Sequence, residues 1–225
     1  MNKLFHLPCA LVAAIWLVPQ CAAETPPTTH EVHFPKGDAA WSVAFENQAA
    51  PASKPTGGAA PETIPTRTVK VDIVRQGNLR RDVVTLSDGS TRGIWWIRNP
   101  PVALFDNGPR ISTAMASSMA QQRYDESSFD WVGANAFAGM KPCKGKPCQY
   151  YEMEVVDEMD GTKHTRRAWI DPETHQPVAL DDSFIKVTFA FQDAAPTEPL
   201  RMPDNFLDKY KRVQAFYAPP RRAGN

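Results

Sequence analysis

Four groups of side chains in this 225-residue chain have the types and spacing to do chemistry. Cys143 and Cys148, separated by Lys144-Gly145-Lys146-Pro147, could pair as a disulfide, supply half of a zinc site or exchange thiols. His30-Glu31-Val32-His33 offers two imidazoles and a carboxylate to a metal, Asp171 with Glu173 and His175 could serve as acid and base, and Ser183 with Lys186 matches Ser-x-x-Lys. Spacing weakens the last three. A His-Glu-x-x-His zinc site needs its histidines one helical turn apart, whereas His30 and His33 lie in an extended start, so only a weak metal site stays open there. A Ser-x-x-Lys pair needs a helix start, but Ser183 opens a strand whose alternation sends the two side chains to opposite faces. Asp-Pro-Glu-Thr is turn chemistry, in which the Asp171 carboxylate bonds nearby backbone. A glycine-rich phosphate loop, a Gly-x-Ser-x-Gly elbow and a calcium loop are all missing from the sequence. No catalytic residue, metal or cofactor is expected, and an enzyme is the weaker reading.

The cysteines depend on the compartment. Lys3 gives a positive start, Leu7 to Val18 is an apolar run, and Cys21-Ala22-Ala23 supplies small residues before Glu24, the pattern of a secretory signal peptide over 1–23. That run is shorter than the roughly 20 residues of a membrane-crossing helix. The expectation is a periplasmic or secreted protein without a transmembrane segment; a lipoprotein acylated at Cys21 is the minor alternative, since Pro19 and Gln20 poorly suit the positions before it. Removal of 1–23 takes away Cys9, Cys21 and Lys3, so 25 basic residues against 25 acidic become 24 against 25. A chain so near neutrality has no strong field to recruit nucleic acid, which is excluded as a partner. Cys143 and Cys148 are then the two remaining thiols, in an oxidising compartment, and a mutual disulfide is expected. Zinc would need a second ligand pair, and a thiol-exchange site would sit at a helix start.

A fifth group is apolar. In "GIWWIRNPPVALF" (93–105) Ile94 and Trp96 alternate with Trp95 and Ile97, so both faces of one strand carry a tryptophan. Either this strand is central and covered on both sides, or one face lines an apolar groove. In the second case Ile94, Trp95, Trp96, Ile97 and Phe105 are the candidate ligand-binding residues.

The elements that must position these groups read mainly as strands. Residues 39–45 form a first strand, and the Pro/Ala-rich stretch 49–65 a flexible loop. Val69, Val71 and Ile73 alternate with Lys70 and Asp72 over 67–75, while 80–86 and 91–98 flank Asp88-Gly89 as a hairpin. Residues 149–157 and 162–170 flank Asp160-Gly161 as a second hairpin, and 184–191 is a closing strand. Alanines, methionines and glutamines predict a helix over 111–124, with others at 127–137 and 204–216. The expected class is α+β: a curved antiparallel sheet, an unclosed barrel, with a few helices on one face, in a single domain over 24–225.

The closing stretch "WIDPETHQPVALDDSFIKVTFAF" (169–191) resembles the last strands of the LolA-like periplasmic lipoprotein-carrier superfamily, and "IWWIRNPPVALFDNG" (94–108) resembles its middle strands. The resemblance covers Arg67 to about Phe216. It implies an unclosed β-barrel lidded by helices, whose concave face holds acyl chains, so a lipid or lipoprotein is the implied ligand. The chain departs from the carriers in its loop 49–65, its cysteine pair and the polar alternate faces of several strands. A cell-envelope interaction module with a filled core, no ligand and an envelope protein partner is the alternative.

Overall fold

The computed structural model describes residues 30–46, 66–106, 110–115, 124–156, 161–182 and 185–217. The expected signal peptide, Cys21, the loop 49–65 and Ser183 lie outside these residues. Eleven strands form one antiparallel sheet: β1 (Ala39–Phe45), β2 (Thr68–Gln76), β3 (Leu79–Leu86), β4 (Thr91–Ile97), β5 (Val102–Asp106), β6 (Ile111–Met115), β7 (Phe137–Cys143), β8 (Lys146–Val156), β9 (Lys163–Ile170), β10 (Pro177–Asp181) and β11 (Lys186–Phe191). Their order across the sheet is β6-β5-β4-β3-β2-β1-β11-β10-β9-β8-β7. The chain thus walks outward from the centre to β6, crosses to the far edge at β7, and walks back until β11 pairs with β1. With β6 and β7 at opposite edges the sheet is not closed.

Local chemistry explains the turns. Between β3 and β4, Asp88 Oδ1 accepts from the Ser90 backbone N–H at 2.9 Å, and Gly89 takes φ +81°, which an Asp-Gly hairpin turn demands. Between β7 and β8, Lys144 and Gly145 take φ +50° and +78°, a two-residue turn with both central residues left-handed. Asp171 Oδ1 accepts from the N–H groups of Glu173 at 2.9 Å and Thr174 at 3.0 Å, the turn read from Asp-Pro-Glu-Thr.

The α+β expectation is corrected: the fold is close to all-β, and among the described residues α1 (Asp204–Tyr217) is the sole α-helix. Where a helix was expected over 111–124, Ile111–Met115 is instead β6, running from Asp106↔Ile111 to Val102↔Met115 along β5. Where a second was expected over 127–137, two single 3-10 turns stand at Glu126–Phe129 and Ala134–Ala136, and Phe137 already opens β7. The physical reason is tertiary. Val102, Ala103 and Leu104 are fully buried, and a strand so placed needs a backbone partner for its polar groups, which outweighs the few tenths of a kcal/mol per residue of helix propensity in Ala114 and Met115.

Each face of the sheet carries its own core. On the first face Trp41, Val43, Val71, Ile73, Val187 and Phe189 pack with Tyr151, Ala168 and Ile170 of the returning strands. The N-terminal segment (Phe34) and the crossover between β6 and β7 (Tyr124, Phe129, Ala136) lie on them, and Trp41 Nε1 donates to the Tyr124 carbonyl at 3.1 Å. On the second face Trp95, Ile97, Val102 and Leu104 are covered by Phe206, Tyr210 and Val213 of α1 and by Leu200 and Met202.

Candidate functional site

The five apolar candidates divide between the faces. Trp95 and Ile97 lie opposite Leu104 and Val102 beneath α1, with Trp95 and Phe206 rings 6.4 Å apart. Trp96 and Ile94 lie opposite Ala103 and Phe105 on the other side. Strand alternation makes this division unavoidable, so Ile94, Trp96 and Phe105 can share one surface while Trp95 and Ile97 belong to the core under the helix.

Next to Trp96 stands a group the sequence reading missed. Arg80 pairs with Trp96 across β3 and β4, and its Nε and Nη2 donate to the Asp82 carboxylate at 2.7 and 2.8 Å. Arg80 Nη1 donates to Asp125 Oδ2 at 3.1 Å, and Trp96 Nε1 donates to Asp82 Oδ2 at 2.6 Å. The guanidinium carbon lies 5.5 Å from the Trp41 ring centre and 5.3 Å from that of Trp96. Arg80 is 7% exposed and Asp82 1%, so this is a buried ion cluster in which Arg80 serves both Asp82 and Asp125. Burial pushes the Asp82 carboxyl above the ordinary 3.8, against the pull of Arg80 and the Trp96 bond. Asp125 also caps the 3-10 turn through Ser127, so the cluster latches the crossover to the sheet. A signal existed: alternation from Val84 and Leu86 puts Arg80 and Asp82 on the same face as those apolar side chains.

A cavity of about 360 Å³ opens beside this cluster, walled by Arg75, Leu79, Arg80, Trp96, Arg98 and Glu126, with Pro101 at its edge. It sits where the β2–β3 and β4–β5 turns meet. From its Trp96 wall the half-buried Ile94 and Phe105 continue as an apolar strip along β4 and β5. Arg75 is held by the carbonyls of Pro35 and Gly37 and reaches Glu126 at 3.6 Å. Arg98 is exposed and has no ion-pair partner among the described residues. The arrangement can take a molecule with an apolar part on the strip and a polar end at the arginines.

The other candidates stay apart from this cavity. The expected disulfide is not formed: Cys143 and Cys148 are free thiols. Cys143 lies opposite Lys146 and Cys148 opposite Lys141, so the cysteines are diagonal neighbours whose thiols hydrogen-bond each other. Burial pushes both thiols up, Cys148 to about 11, which disfavours thiolate chemistry. His30 lies 3.2 Å from the Tyr151 hydroxyl and His33 3.3 Å from Glu31, so the two histidines serve different neighbours. Lys186 of the Ser-x-x-Lys match pairs with Glu46 at 2.6 Å.

Among the described residues no group of three or more His, Cys, Asp or Glu converges as a metal site, and no helix is long and apolar enough to cross a membrane. Neither a family model nor a curated protein matches the chain. Among solved structures, the crystal structure of the Mycobacterium tuberculosis lipoprotein LppX is similar, with a TM-score of 0.40 and 11% identity over 74% of this chain and 89% of that chain. At that distance the likeness assigns neither family nor activity, and the site is read from its own residues.

Proposed function

We propose that this chain is an exported binding protein for a small apolar or amphiphilic molecule, lipid by class, held at the β3–β5 end of the first face. The observation that carries the reading is the cavity of about 360 Å³ with the half-buried Ile94 and Phe105 leading away from its Trp96 wall. That volume lies within the roughly 300–1,000 Å³ of small-molecule sites, and a cavity lined largely by charged side chains, with Leu79, Trp96 and Ile97 as its apolar part and an apolar strip beyond, suits the polar end of an amphiphile. The rest of the first face supports no larger cargo, because Phe34, Tyr124 and Phe129 already lie on its centre.

Mass spectrometry on protein purified from a periplasmic extract tests this, native for bound mass and denatured for its release. A copurified apolar molecule that is lost in Ile94→Glu and Phe105→Glu variants supports the reading. An apo mass, with no change in melting temperature when oleate or a lysophospholipid is added, overturns it. That second outcome favours the alternative of a protein-interaction module, whose supporting observation is the filled centre of the first face.

A further inference from the structure

On the second face, α1 and the edge strand β6 enclose a crevice of about 370 Å³ lined by Thr113, Ala114, Met115, Lys209, Arg212, Val213 and Phe216. No acidic residue lines it. Lys209 and Arg212 make no ion pair among the described residues, whereas the neighbouring Lys211 is engaged by Asp208 at 3.5 Å. Phe216 is 83% exposed and Met115 40%. Unpaired cations around exposed apolar side chains are an arrangement that water alone does not favour.

This crevice and the cavity lie at the same end of the sheet. Met115 pairs with Val102, which follows Pro101 at the cavity edge, and Tyr210 Oη donates to the Asn99 carbonyl at 3.0 Å, which brings α1 onto the β4–β5 turn. Arg98, exposed on that turn, therefore joins Lys209 and Arg212 at one end of the molecule. The chain as a whole carries 25 basic and 25 acidic residues, so attraction to an anionic surface would rest on these three cations and not on net charge.

We infer that the end bearing Arg98, Lys209, Arg212, Met115 and Phe216 docks on an anionic phospholipid bilayer. The cations meet lipid phosphates while Phe216 and Met115 enter the headgroup boundary. Charge complementarity selects this occupant: peripheral attachment takes two signals, an apolar insertion and a cationic patch, and this end has both. Docking would also bring the cavity mouth near the bilayer. The inference stands independently of whether the cavity holds a ligand, because vesicle binding is measured without one.

Co-sedimentation of the purified chain with vesicles of phosphatidylcholine alone, and with one quarter phosphatidylglycerol, is the test. Binding is expected to the second and not the first. Partition should fall roughly fivefold for each of Lys209→Gln, Arg212→Gln and Arg98→Gln, and should be lost in about 0.5 M salt, where exposed charges are screened. Phe216→Ser, at a position 83% exposed, should weaken it further, with an unchanged melting temperature as the check on folding. Equal binding to both vesicles, no binding to either, or glutamine variants that bind like the parent would each overturn the inference.

Discussion

Arg80 is stacked between two indoles and shared by two buried carboxylates, so its replacement by Met takes from Asp82 and Asp125 the guanidinium that holds both. The expected cost is about 3–5 kcal/mol, the range for breaking one side of a buried pair, checked by urea unfolding at pH 7. Asp82 sets a pH dependence of its own. Its folded-state value is raised, so its contribution is fully present below the ordinary 3.8 and is lost as pH rises through the folded value. Asp171 runs the other way: the backbone bonds from Thr174 and Glu173 lower it, and its contribution is lost as pH falls below that ordinary value. An Asp82→Asn variant should therefore flatten the stability profile above about pH 4 and Asp171→Asn the profile below it, both read from melting temperature against pH. A third expectation concerns the thiols. Cys143 and Cys148 are free and burial raises Cys148 to about 11, so both should titrate in denaturant and Cys148 should react slowly in the native state. A denatured mass two hydrogens below the reduced value would show instead that the two neighbouring thiols have joined.

At the scale of elements, α1 is attached by few side chains. Phe206 is its buried anchor at 6% exposure, with Tyr210 and Val213 one and two turns on. Phe206→Ala is expected to cost about 3 kcal/mol, near the low end for such truncations because a terminal helix can detach. Hydrogen exchange should then show protection lost over 205–213 and kept in β1 to β3. The strap before α1 is held by Gln76, whose amide donates to the carbonyls of Pro196 and Glu198 and accepts from the Leu200 N–H. One side chain thus satisfies three backbone groups of a proline-rich segment that has no ladder of its own.

For the molecule as a whole, the two cores lie on opposite faces of one sheet, and β1 and β11 pair although about 150 residues separate them. Loss of either core exposes strands that the other needs, so unfolding should be one cooperative transition, with coincident urea curves from tryptophan emission and far-UV circular dichroism. Refolding should be slow for a chain of this size, milliseconds to seconds, since the pairing that joins both halves is non-local. Two separated transitions would mean that the β2–β6 and β7–β11 halves fold independently.

The sequence by itself determined most strands, the Asp-Gly hairpin, the Asp171 turn and the terminal helix, because each depends on side chains within a few residues: period-two apolarity, a turn glycine, an amphipathic stripe. It also placed a tryptophan on each side of β4. It could not determine that Ile111–Met115 would be a strand, since only the exposed edge of β5 makes it one. The cysteines read as a disulfide from their spacing and expected compartment, and the structure has them as neighbouring free thiols. The five apolar candidates were legible in the sequence as one set, whereas their division between two faces, with Ile94, Trp96 and Phe105 on one and Trp95 and Ile97 beneath α1 on the other, follows from the strand pairing. Arg80, Asp82 and Asp125 meet across 45 positions of sequence, and Phe216 meets Met115 across about a hundred. Such contacts depend on which strands become neighbours, and that is decided by burying two faces of one sheet at once.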